Sequence, residues 1–134
     1  MHAVSSHTLS FATLNLLQDN TVELIVDQDV EINIHMVREW MGFIRSRGCV
    51  PARIMVNKLH PCSYTFDALM QIAEIDFVKA IAFVNYSVTS KRVCHSIMQL
   101  LEDPKWQLST FDDRELALRW LSGNGMGCRT PSAW

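Results

Sequence analysis

The sequence predicts an α/β domain: a mainly parallel five-stranded sheet with an antiparallel hairpin at its N-terminal edge and four helices, in the order β-β-α-β-α-β-α-β-α. Three observations carry this. Two strand-type runs flank Asp19-Asn20, residues that tolerate the positive φ of a tight hairpin turn. After residue 30 the apolar spacing switches to helical and then alternates between short β-branched runs and helical runs, and such alternation implies right-handed crossovers between parallel strands. The 134 residues, 49% apolar and 19% charged, match one domain with a sizeable core, about 65–70% of the unfolded surface being buried at this size.

Each element has its own warrant. In "TVELIVD" Val22, Leu24 and Val26 alternate with Glu23, Ile25 and Asp27, so one face of that strand is packed and the other partly wet. "NIHMVREWMGFIRSRG" places Val37, Trp40, Met41 and Ile44 at helical spacing, with Asn33 as N-cap and Gly48 as the residue after the C-cap. "ARIMVN" and "FVKAIAFVN" lack alternation, as strands buried on both faces do. "FDALMQIA" sets Phe66, Leu69, Met70 and Ala73 on one face, and "TSKRVCHSIMQLLED" does the same for Val93, Ile97, Leu100 and Leu101 before Pro104 ends it. "WQLSTF" is the last strand. "DDRELALRWL" closes the domain with Leu116, Ala117, Trp120 and Leu121 inward and Asp112 and Glu115 placed as cap and N3 acid. One domain over residues 1–122 is expected, with a loose tail over 123–134 that carries three glycines and Pro131. Trp134 is free to dock on a neighbour.

"TFDDRELALRWL" resembles the closing segment of small bacterial SpoIIAA-like (STAS-like) domains, in which a strand ends in Phe, Ala follows six residues later and Trp-Leu closes the last helix. Here these are Phe111, Ala117, Trp120 and Leu121. A weaker likeness runs from residue 10 to 122. It implies a βα fold related to anti-sigma-factor antagonists and, more distantly, to CRAL-TRIO lipid carriers, in a group made chiefly of binding and regulatory modules. In the antagonists a serine at the N-terminus of the helix after the third strand is phosphorylated by a partner kinase. Ser63 matches by position, although Cys62 stands where that motif has Asp, and Tyr64 and Thr65 follow in place of a small residue and Gly.

The chemistry-bearing residues were weighed against structural roles. Ser63, Tyr64 and Thr65 form the expected phosphorylation or partner-binding segment, against the simpler role of Thr65 as a helix cap with Asp67 in the first turn. Ligands of open parallel sheets favour the carboxyl ends of the strands, and there Asn57 and His60 on one loop face Ser87, Thr89, Ser90, Lys91 and Arg92 on another, a set suited to an anion or to capping and solvation. No metal is expected: His60, Cys62, Cys94 and His95 lack the paired spacing of zinc ligands. A Cys62 nucleophile with His60 has no third group that can be named, so no catalytic residue and no cofactor are assigned.

A net charge of −2 without a basic run gives no footprint for nucleic acid. No apolar stretch reaches membrane-helix length. The opening "MHAVSSHTLS" has no signal-peptide pattern, and four scattered cysteines read as reduced thiols, so a cytoplasmic protein is expected. The functional expectation is a non-enzymatic binding or regulatory module with a protein partner, a second copy of this chain included. The alternative is a carrier for an anionic or lipid-like small molecule.

Overall fold

The computed structural model describes residues 4–60, 62–101 and 104–124. Eight strands and four helices follow in the order β1 (Ser5–Thr8), β2 (Ala12–Leu16), β3 (Thr21–Val26), β4 (Glu31–Ile32), α1 (Ile34–Ser46), β5 (Ala52–Lys58), β6 (Ser63–Tyr64), α2 (Phe66–Ala73), β7 (Val78–Asn85), α3 (Val88–Leu100), β8 (Gln107–Phe111) and α4 (Arg114–Asn124). The main sheet has six strands in the order β1-β2-β3-β5-β7-β8. β1 to β3 are antiparallel, and β3, β5, β7 and β8 run parallel. The α/β class, the N-terminal hairpin and the four helices are as the sequence predicts.

Two features correct the five-strand expectation. "SSHT" forms β1 and pairs with β2 from Ser5↔Leu16 to Thr8↔Thr13; an edge strand needs only backbone pairing on one side, so its sequence carries no apolar pattern. A separate two-stranded parallel sheet joins β4 and β6, with Glu31 opposite Ser63 and Ile32 opposite Tyr64. Ser63 therefore lies on a strand and not at the start of α2. α4 extends to Asn124 and takes in the first two residues of the expected tail 123–134; residues 125–134, Trp134 among them, lie outside the described residues.

The local signals act as their chemistry requires. Asp19 and Asn20 adopt φ of 59° and 58° and turn β2 into β3. The Asn33 carboxamide accepts from the Met36 N–H at 3.0 Å, and Gly48, at φ 71°, follows the Arg47 C-cap. Thr65 Oγ1 accepts from Ala68 N–H at 3.2 Å, and Ser87 Oγ from Ser90 N–H at 3.0 Å. At α4 the cap is Asp113, which accepts from Glu115 and Leu116 N–H at 2.8 and 3.4 Å; Asp112 was expected there, but the helix starts one residue later. Replacing Thr65 by Ala is expected to cost about 1 kcal/mol, read from chemical unfolding as a lower midpoint with unchanged slope.

The sheet divides the interior. Val22, Leu24, Ile54, Val56, Ile81 and Phe83 face α1, α2 and α3 in the larger core, where Trp40 is buried and Trp106 donates its indole N–H to the Ile72 carbonyl at 2.9 Å. Met55, Ala80, Ala82 and Val84 face α4 through Ala117, Leu118 and Leu121. Phe111 and Trp120 pack there with ring centroids 5.8 Å apart, and Ala117, with no bulk beyond Cβ, lets α4 lie close to the small alanines of β7.

Three predicted helix faces are rotated. α2 buries Ala68, Leu69, Ile72 and Ala73, a stripe turned by roughly a quarter turn from the expected one at 100° per residue, which leaves Phe66 exposed and Met70 half-buried. α3 buries Ser90, Cys94 and Ile97, so Leu100 is exposed. On α4 Leu118 takes the inward place expected for Leu116, which is exposed. Among the described residues no helix is long and apolar enough to cross a membrane.

Candidate functional site at the carboxyl ends of the parallel strands

β5 and β7 end side by side: Asn57 pairs with Val84 and Lys58 with Asn85. Because successive side chains alternate between faces, Asn57 belongs to the α4 side, whereas Lys58 and Asn85 belong to the three-helix side. Two polar centres result, one on each face of the same sheet end.

On the α4 side Glu23, only 3% exposed, is held by four hydrogen bonds. Arg114 Nε and Nη2 donate to Oε2 and Oε1 at 2.9 and 3.0 Å, Asn57 Nδ2 donates to Oε2 at 2.8 Å, and Asn15 Nδ2 donates to Oε1 at 3.2 Å. Burial pushes the carboxyl pKa up, but the Arg114, Asn57 and Asn15 hydrogen bonds outweigh it and the net shift is downward from 4.5. This fork ties β2, β3, β5 and α4 together. It is a satisfied ion pair and its role is structural.

On the other side nothing comparable meets Lys58. It is 2% exposed, and its Nζ has no hydrogen-bond partner among the described residues. The Tyr64 and Phe83 rings lie 5.6 and 5.8 Å from the ammonium. Such contacts contribute about 0.5–2 kcal/mol, less than the several kcal/mol that desolvating an ammonium costs. Tyr64 Oη, Asn85 Oδ1 and Ser90 Oγ are also buried without an oxygen or nitrogen partner, as is Asn57 Oδ1 on the opposite face; Tyr64 and Asn85 have only the weak thiols of Cys62 and Cys94 beside them. Buried polar groups are overwhelmingly paired, so this concentration at one sheet end marks a site. The thiols of Cys62 and Cys94 border it. Burial pushes both above their ordinary value; the charge of Lys58 and a hydrogen bond with Tyr64 offset this in part at Cys62, and a hydrogen bond with Asn85 and the charge of Lys58 do so at Cys94. Burial, with the two thiols adding to it, pushes the Tyr64 phenol well above its ordinary value, so the phenol keeps its proton as a donor.

Two grooves open here. One, of about 420 Å³, is lined by Asn85, Lys91, His95, Met98, Thr110, Phe111 and Asp112. The other, of about 360 Å³, is lined by Asp29, Val30, Glu31, Cys62, Ser63 and Val93. At the same sheet end Leu59 (58%) and Tyr86 (47%), directly after β5 and β7, and Phe66 (61%) and Val88 (65%), the first residues of α2 and α3, are exposed.

The structure divides the residues read from the sequence. Asn57 is committed to Glu23, Thr65 and Ser87 are caps, Tyr64 lies against Lys58, and Ser90 is buried on α3 with its hydroxyl unpaired. Lys91 lines the larger groove, Thr89 and Arg92 are exposed beside it, and His60 is half-buried on the loop after β5. Ser63 is exposed in the smaller groove. Sequence reasoning missed Lys58, Glu23, Arg114 and the groove position of His95. The available signal for Lys58 was its place directly after a run buried on both faces. Among the described residues no group of three or more His, Cys, Asp or Glu is placed to hold a metal ion. In comparisons with known proteins, no family model, curated sequence or solved structure matches the chain.

Proposed function

We propose that the chain is a non-enzymatic binding and regulatory module of SpoIIAA-like type that docks another protein at the carboxyl end of its parallel sheet. The supporting observation is the exposed apolar set Leu59 and Tyr86, directly after β5 and β7, and Phe66 and Val88, the first residues of α2 and α3. Large apolar side chains gathered at one end of a domain favour interaction over solvation. Exposed Lys91 and Arg92 on the first turns of α3 complement a partner surface that is acidic as well as apolar. Cys62, with its thiol pKa raised by burial, is a poor nucleophile at neutral pH, which favours binding over cysteine catalysis.

Ser63 supplies the regulation. It is exposed, directly opposite Glu31, and shares its groove with Asp29. A phosphate there meets two carboxylates, so like-charge repulsion loosens the β4–β6 pair. Ser63→Asp is expected to weaken partner binding about tenfold, equivalent to about 1.4 kcal/mol. The test is crosslinking and capture from the protein's own cells with wild type, Phe66→Glu and Val88→Glu. Loss of the captured partner in both variants at unchanged melting temperature supports the reading; capture indifferent to both overturns it.

A further inference from the structure

We propose that Lys58, Tyr64 and Ser90 form a receptor for one small oxyanion, a carboxylate or a phosphate monoester, beneath the apolar rim. Each carries a buried polar atom without an oxygen or nitrogen partner, the Tyr64 phenol having only the weak Cys62 thiol beside it, and each can donate: the Lys58 ammonium, the phenol and the hydroxyl. They come from three separate elements, the end of β5, β6 and the first turn of α3. Asn85, the register partner of Lys58, ends β7 five residues before Ser90, which lies one helical turn before Cys94 on the buried face of α3. The Tyr64 ring of β6 lies 5.6 Å from the Lys58 ammonium and the Phe83 ring of β7 5.8 Å, so the ammonium faces the β6 segment on the three-helix side of the sheet.

The alternatives for Lys58 are weaker. An ammonium held only by two rings more than 5 Å away packs worse than Met or Leu in the same place. Its Nζ also lacks the carboxylate that satisfies Arg114 on the other face of the sheet. An anion seated on Lys58, Tyr64 and Ser90 would pair the charge and engage all three donors. Asn85, paired with Lys58 across the ladder, forms part of the lining of the larger groove, which makes that groove the route of entry in this proposal. Lys91 and His95 border the path, with Asp112 as the opposing carboxylate, and Met98 and Phe111 offer apolar surface to whatever carries the anion. This site does not depend on partner docking, which rests on Phe66 and Val88.

The test uses the full 134-residue chain in chloride buffer, with inorganic phosphate and octanoate as probes and sodium chloride at matched ionic strength as control. Binding to the folded state raises the melting temperature saturably. The expected result is a rise with at least one probe beyond the chloride control, accompanied by a saturable shift of the Lys58 Cε resonance. The rise should be absent in Lys58→Met and retained in Phe66→Glu. A response to phosphate alone identifies a free or esterified phosphate; a response to octanoate alone identifies an amphiphilic carboxylate. The proposal is overturned if neither probe exceeds chloride, if Lys58→Met keeps the rise, or if the Lys58 resonance does not move. The resonance is read on wild-type protein, so the outcome does not hang on any variant folding. If Phe66→Glu abolishes partner capture but not the probe response, docking and anion binding are shown to be separate properties.

Discussion

Arg114→Ala is expected to destabilise the fold by about 2–4 kcal/mol, somewhat below the cost of breaking a fully buried pair because the Arg114 side chain is itself about a third exposed. The loss comes from what is left behind. Glu23 keeps its burial and its bonds from Asn57 and Asn15 but loses the counter-charge and both guanidinium hydrogen bonds. Because the native Glu23 pKa lies below 4.5, the carboxylate contributes stability above that value and loses it as pH falls through the native pKa. In the variant burial is no longer outweighed to the same extent, and protonating Glu23 costs less. The gap between wild type and Arg114→Ala should thus be widest at neutral pH and narrow as the pH drops below 4.5. Urea unfolding across this range measures it; a gap independent of pH would mean that Glu23 does not carry the effect.

Lys58→Met is expected to act in the opposite direction, raising stability by about 1–3 kcal/mol in chloride buffer. Replacing buried charge with an apolar side chain of similar volume is often neutral or stabilising, and here the ammonium has no hydrogen-bonding partner to lose. The neighbouring Phe83 ring and the Cys94 thiol suit a thioether. The midpoint of chemical unfolding should rise at constant slope. A clear fall would show that Lys58 is already well satisfied in the folded protein and would remove the physical reason for an anion site. A buried, unpaired charge that weakens the free fold at the carboxyl end of the parallel strands fits a functional use of that strain.

How much of this was legible in the sequence depends on the range of the interaction. Asp19-Asn20, Asn33, Thr65 and Ser87 act on groups within a few residues, so turn and cap chemistry identifies them directly. The α1 stripe was also readable, because Val37, Trp40, Met41 and Ile44 are all large and apolar. α3 misled for the converse reason: Ser90 and Cys94 occupy its buried face and do not register as core, which shifted the expected stripe toward Leu100. Phe66 looked like core by composition, yet the first position of α2 points away from the sheet. The site itself was half visible. Lys91 and Ser90 follow from the strand-end rule, but the Glu23–Arg114 pair spans 91 positions, and no local pattern announces a contact of that separation. Lys58 escaped because a lysine after a strand ordinarily begins a solvated loop, whereas here the ladder continues through Lys58↔Asn85.

The central claim is that the carboxyl end of the parallel sheet is the surface with which this protein binds. A native mass spectrum of protein purified gently from its own cells, repeated after denaturation for wild type, Phe66→Glu and Lys58→Met, tests it most directly. The predicted result is a noncovalent mass excess on wild type that denaturation removes, with a protein-sized component lost in Phe66→Glu and a small-molecule component lost in Lys58→Met. The bare chain mass in the native wild-type spectrum, or an excess carried equally by both variants, would contradict the claim.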